Sequence, residues 1–227
     1  MDSYTDGIPG VVAPVLTAEL LQCIRDLNDD YLELLVAEGT RAGSSSHLPD
    51  RVRDELRKSS RQARQQIAKA AYSLYSLGFE DQQFWRSALR TEPRSFAERY
   101  GGVVTPSSFI ELALYHAWHV AVSNPIAARV VYGMSAPIIE CVAHASLWQL
   151  RRVAVEYPEL LMPRWPTNPC FWPEVIKFAT AGDLRRLHTL QQLGHQLIAI
   201  DLQTSMNLRS ATRERQRNLL RQRLRHT

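Results

Sequence analysis

The sequence is poor in the features that build a conventional active site. It has three cysteines, Cys23, Cys141 and Cys170, far apart and in no CxxC pair. That spacing argues against a disulfide framework and leaves thiols in a reducing compartment. There is no GxSxG, and Gly101-Gly102 is followed by neither a third glycine nor GK[ST], so no phosphate-cradling loop is present. Paired carboxylates occur only in runs such as Asp29-Asp30, which read as a solvated face. His116 and His119 lie one helical turn apart, but without the glutamate of HExxH or a nearby Cys or Asp pair to complete four ligands. Tyr115, Trp118 and Val120 around them favour packing. Cys141 and His144 are three residues apart, yet nothing orients the histidine as a base. The expectation is a non-enzymatic protein with no metal and no cofactor. No apolar run approaches the roughly 18 residues needed to span a bilayer. The N-terminus lacks the basic-then-apolar order of a secretory signal. A cytoplasmic protein with no membrane association is expected.

What is present is an ordinary globular composition: 227 residues, 45% hydrophobic and 22% charged, enough for a real core and against disorder over most of the length. The net charge of +4 is unevenly placed. From Arg209 to the end there are seven arginines and one glutamate, so this tail carries +6 and the rest of the chain −2. Such a body is weakly suited to gripping DNA by itself. The arginines of the tail can neutralise phosphates without reading sequence. With no Tyr, Phe or Trp among them, stacking on single strands is not indicated.

Along the chain, Gly7, Pro9, Gly10 and Pro14 predict an irregular arm over 1–16. Thr17 reads as the N-cap of a helix carrying Leu20, Leu21, Ile24, Leu27, Tyr31, Leu34 and Leu35, and Gly39 ends it. Gly43–Ser46 is a short linker. A polar helix from about Leu48 gains an apolar face at Ile67, Ala70, Ala71, Leu74 and Tyr75, with Gly78 closing it. Phe79, Phe84, Trp85 and Leu89 cluster after it. Pro93, Gly101, Gly102 and Pro106 place a subdomain boundary in 91–108. The five prolines between Pro158 and Pro173 predict loop, and a short helix from Glu174 leads into a long one with Leu184, Leu187, Leu190, Leu193, Leu197 and Ile200. Leu219, Leu220 and Leu224 extend that stripe into the basic tail. A weak internal echo pairs Phe84-Trp85-Arg86, six residues beyond Gly78, with Phe171-Trp172-Pro173, six beyond Trp165.

The chain is organised around 109–202. Phe109, Leu112, Ala113, His116, Ala117 and Val120 recur at steps of three and four. Asn124-Pro125 interrupts this helix, and a short one follows with Ile126, Val130 and Val131 before Gly133. Ser135 opens the next (Ile138, Ile139, Val142, Ala143), and the turn at Ala145-Ser146 leads to Leu147, Leu150, Val153 and Ala154. Short helices joined by tight turns give a helix-turn-helix-like centre. Its second helix offers Ala136, Pro137, Glu140 and His144, a poor match to an acidic groove. The third offers Trp148, Gln149, Arg151 and Arg152, a modest basic face. Phe109, Leu112, Tyr115, Trp118, Val120 and Val122 wrap more than one side of their helix, which predicts self-association through it.

From about Ile126 to Trp165 the pattern resembles FlhD, a subunit of the bacterial flagellar transcriptional activator. The resemblance lies in Ala128, Gly133, Val142-Ala143, Leu147, Gln149, Val153-Ala154 and Arg164, and continues through Asp183-Leu184 and His188-Thr189. The chain is roughly twice that family's usual length, and Leu161 stands where FlhD carries the cysteine that links its dimer. The resemblance implies an oligomer acting with an FlhC-like partner that supplies much of the DNA contact. Together these readings predict an all-α fold of seven to nine helices in two packed halves. The N-terminal helical subdomain spans 1–90, the FlhD-like domain 109–208 and the basic tail 209–227. The candidate DNA contacts are Arg151, Arg152, Arg209, Arg213, Arg215, Arg217, Arg221, Arg223 and Arg225. The candidate partner face is Phe109, Leu112, Tyr115, Trp118, His188 and Thr189. A helical adaptor or chaperone-like protein of a secretion or conjugation system, binding protein partners alone, is the second reading.

Overall fold

A computed structural model describes residues 15–38, 48–90 and 106–224, with side chains as far as Thr204. Among these residues the protein is all-α, with ten α-helices, one 3-10 turn and one two-residue strand pair. The expected arm ahead of Val15, the Gly43–Ser46 linker and most of the 91–108 boundary lie outside the described residues.

Helix α1 (Ala18–Glu38) starts at Thr17, whose Oγ1 accepts the Leu20 N–H at 3.2 Å. Ile24, Leu27, Tyr31, Leu32 and Leu35 form its buried face, and Asn28 lies buried among them. The next stretch departs from the expected single helix ending at Gly78. It forms α2 (Asp50–Lys58) and α3 (Arg61–Ala68), split at Ser59-Ser60, with Ser60 Oγ capping α3 through the Ala63 N–H. The extra break raises the helix count above the seven to nine expected. After Ala68 the chain is not helical, although Ile67, Ala70, Ala71 and Leu74 keep a helical spacing. Asn28 is the reason. Its amide donates to the carbonyls of Ala68, Ala70 and Tyr72 and accepts the Leu74 N–H at 2.9 Å. A buried segment can stay extended only if its backbone groups find partners, and these come from α1. The segment ends in β1 (Tyr75–Ser76), antiparallel to β2 (Met162–Pro163). Helix α4 (Gln82–Ala88) follows, capped by Asp81.

Helix α5 (Pro106–Ser123) is central, packing on α1 and on α6 (Pro125–Tyr132), α7 (Ala136–Ala143) and α8 (Leu147–Glu156). Asn124 Oδ1 caps α6 through the Ala127 N–H at 3.0 Å, and Pro125 takes its first position. Gly133, at φ 66°, ends α6 in the left-handed region, and α7 leaves at 114° to it. Ser146 and Gln149 close a reciprocal capping box on α8. A 3-10 turn (Pro158–Leu160), β2 and a loop lead to α9 (Phe171–Ala181), which packs on α2, α3 and α10 (Leu184–Leu224). The loop reading of the proline-rich stretch therefore holds up to Phe171.

The echo has a structural counterpart. Trp85 and Trp172 are both buried, and each indole N–H donates to a backbone carbonyl upstream: Gly78 at 3.0 Å and Arg164 at 2.7 Å. In each pair the preceding phenylalanine ring meets the indole edge-on. One buried hydrophobic cluster runs from Ile24 to Ile198, so the N-terminal and C-terminal helices share a core.

Candidate functional site

The site is built around Arg164, in the loop after β2. Its guanidinium is buried, and four hydrogen bonds fix it. Nε donates to Ser73 Oγ (3.3 Å) and the Tyr75 carbonyl (3.2 Å), and Nη2 to Ser73 Oγ (3.1 Å) and the Val131 carbonyl (3.4 Å). Its own backbone pairs with Leu74 and Trp172. Arg164 thereby joins the extended 73–75 segment to the end of α6, as Asn28 joins that segment to α1. Nη1 makes no hydrogen bond among the described residues. It lies beside Gly133, where a Cβ would stand 3.2 Å from it. Glycine serves twice here, as the left-handed cap of α6 and as room for the guanidinium.

Trp165 follows at φ 48°, a strained conformation for a bulky residue ahead of a proline. Its ring is held by Tyr72 and Phe171 (centroids 5.8 and 4.7 Å), and its Nε1 donates to Asp201 Oδ2 at 2.8 Å. This packing fixes the turn that sends Arg164 inward and the indole toward α10.

Arg164 forms one wall of an open pocket of about 400 Å³, shared with Phe79, Glu80, Tyr132, Gly133, Met162 and Asp201. Burial lowers the pKa of the guanidinium, while Glu80 and Asp201 act in the opposite direction. An arginine starts so high that it stays charged. Neither carboxylate forms an ion pair with it among the described residues; Glu80 Oε2 accepts from Ser76 Oγ at 3.2 Å, and Asp201 is held by Trp165. The lining of the pocket therefore combines one fixed cation, two carboxylate residues and apolar side chains.

The residues singled out from the sequence fall elsewhere. Arg152 is buried and donates to the Ala88 carbonyl, with Glu156 at 3.8 Å. Arg151 pairs with Glu111 at 3.6 Å and lies over the Trp148 ring. Arg152 is thus enclosed against α4, which corrects it as a DNA contact, while Arg151 stays half-buried in its ion pair with α5. Phe109 is buried against Tyr31 and Tyr75 and cannot face a partner. Leu112 is exposed, Tyr115 bonds Glu111 at 2.8 Å, and Trp118 is half-buried against the core. The apolar circumference of α5 is largely used inside the chain, by the four helices around it. His188 and Thr189 are exposed on α10, bonded within their own helix to Gln192 and the Arg185 carbonyl. Arg209, Arg213, Arg215, Arg217, Arg221 and Arg223 belong to α10, and Arg225 lies beyond the described residues.

His116 and His119 do not converge. His116 Nδ1 shares a 2.6 Å hydrogen bond with the buried Tyr132 hydroxyl, while His119 is exposed. Burial, with the charge of His119, holds His116 down at about 4. Burial raises the Cys141 thiol, and the His144 Nδ1 lies 2.7 Å from the Glu140 carbonyl oxygen, so the pair forms no activated nucleophile. Sequence reasoning missed the Arg164 pocket because its walls come from four separate stretches. Arg164-Trp165-Pro166, charged and aromatic inside a proline-rich loop, was the available signal. Protein-family models, curated proteins and solved structures contain no match to this chain.

Proposed function

We propose that this chain is a non-enzymatic subunit of a bacterial transcriptional regulator, FlhD-like, working as an oligomer with an FlhC-like partner on DNA. The observation that supports the reading is α10. It is one unbroken helix of 41 residues, about 60 Å long. Leu187 and Ile198 seat its first half in the shared core. The same helix then continues to Leu224, and its sequence places arginine at 209, 213, 217 and 221, at four-residue steps. A basic helical segment on a slightly acidic chain suits phosphate contact through that segment, with the rest of the DNA grip left to a partner.

Truncation after Leu208 tests this. DNA affinity should fall, and the slope of log affinity against log salt should flatten by about 0.9 per lost phosphate contact. An unchanged slope would reject the arm as a phosphate contact. The adaptor reading draws on a different feature: Leu112, Leu147 and Trp148 are exposed where α5 meets α8, around the Arg151–Glu111 pair. If truncation leaves DNA binding intact or absent in both forms while Trp148→Ala abolishes association with a partner, the adaptor reading replaces the regulator.

A further inference from the structure

We propose that the pocket beside Arg164 binds a small zwitterion of the α-amino acid class, with its carboxylate on Arg164 Nη1 and its ammonium held by Glu80 and Asp201. The argument does not depend on what the arginine arm contacts.

The guanidinium is pre-oriented. Nε and Nη2 are fully engaged with Ser73, Tyr75 and Val131, so binding at Nη1 requires no ordering of a long side chain. A buried arginine with a purely structural role would be expected to meet a carboxylate directly or to satisfy every nitrogen internally. Here two carboxylates line the same pocket, yet neither pairs with it. Each is anchored through one oxygen by a neutral donor, Ser76 Oγ or Trp165 Nε1, and the other oxygen makes no hydrogen bond among the described residues. Gly133 lies against Nη1, where any added Cβ would stand 3.2 Å from it and press on the guanidinium.

Charge then selects the ligand. A simple anion meets Arg164 but also two carboxylates, and a simple cation meets the reverse conflict. A divalent metal ion would find two carboxylates but also a guanidinium in the same pocket. A molecule with adjacent carboxylate and ammonium satisfies both signs. The volume of about 400 Å³ suits a ligand of that size. Phe79, Tyr132, Met162 and Trp165 form apolar walls that favour an apolar side chain on it.

The test is calorimetric titration of the full chain with the standard amino acids. For each one that binds, the N-acetyl form (no ammonium) and the amide form (no carboxylate) follow. At least one free amino acid should bind, and blocking either end should weaken it by about tenfold or more. Replacing Arg164 would also loosen the 73–75 segment, so the deciding variants are Glu80→Gln and Asp201→Asn, both at exposed residues. Each should weaken the free amino acid and leave the amide-to-acetyl preference shifted toward the acetyl form. A blocked form that binds as tightly as the free one overturns the proposal. So does the absence of heat from every amino acid at millimolar concentration, and so does an affinity indifferent to both carboxylate variants.

Discussion

Asn28 occupies a position on α1 where the apolar period calls for leucine, and it determines the fold of a segment more than forty residues away. It spans three carbonyls and one N–H of residues 68–74, and those groups have no helix or sheet to join. Four buried backbone groups left without partners would cost several kcal/mol by the usual price of an unmade hydrogen bond, about 1–3 kcal/mol each. His116 is the second residue with consequences beyond its neighbours. Its folded-state pKa of about 4 lies below the ordinary 6.5, because burial disfavours the imidazolium and His119 adds to the effect. Above 6.5 the ring is neutral whether folded or not, and it contributes no pH dependence. Between 6.5 and about 4 the unfolded chain takes up a proton that the folded chain refuses, so stability falls as the pH drops through that window. The ring is only partly buried, so the loss is on the order of 2 kcal/mol. Chemical denaturation across this range should show the decline. In His116→Phe that component should vanish, even though the Tyr132 hydrogen bond is lost at every pH. A variant retaining the full acid dependence would assign it to other groups.

Elements were legible in the sequence where their signals are local. Thr17, Asn124-Pro125, Gly133 and Ser146 mark helix ends with a cap or turn whose chemistry acts within four residues, and all four stand where expected. The 69–78 stretch was not legible, because its apolar spacing is helical while its hydrogen bonds come from Asn28 and Arg164, 40 to 91 residues away. The Arg164 pocket was hidden for the same reason, and the basic face of α8 could not be told from a buried one by composition. Helix α10 carries a related signal in Gly194. Mid-helix glycine costs about 1 kcal/mol against alanine, so a bare propensity argument predicts that Gly194→Ala stabilises. The structure reverses that sign. A Cβ at 194 would stand 1.9 Å from the Tyr72 hydroxyl and 2.1 Å from its Cζ, and Tyr72 is a buried ring fixed by Trp165 and His195. Overpacking of this kind costs about 1–3 kcal/mol or more, enough to outweigh the propensity gain. Urea unfolding of Gly194→Ala should show a net loss. In a Tyr72→Leu background the same substitution should cost far less, a coupling that would be absent if the two residues did not touch.

At the scale of the molecule, the question is whether the sequence boundary in 91–108 divides two folding units. Composition points to a division there, but the contacts run across it. Phe109 is enclosed by Tyr31 and Tyr75, α9 rests on α2 and α3, and the Arg164 guanidinium takes its acceptors from Ser73, Tyr75 and Val131. Removing residues 1–90 would expose large side chains such as Phe109 and Ile176, each worth about 1.5–3 kcal/mol of burial. It would also strand a buried cation among missing partners. Few domains have more than about 5–15 kcal/mol to lose. A fragment beginning at Pro106 should therefore show no cooperative thermal transition by circular dichroism, although its helices retain local propensity. Supplying residues 1–90 as a separate chain should restore a transition, because the missing contacts are non-covalent and the interface is a core. Cooperative unfolding of the lone C-terminal fragment, at a midpoint near that of the intact chain, would show that the boundary in 91–108 separates autonomous domains and that the shared cluster is only their interface.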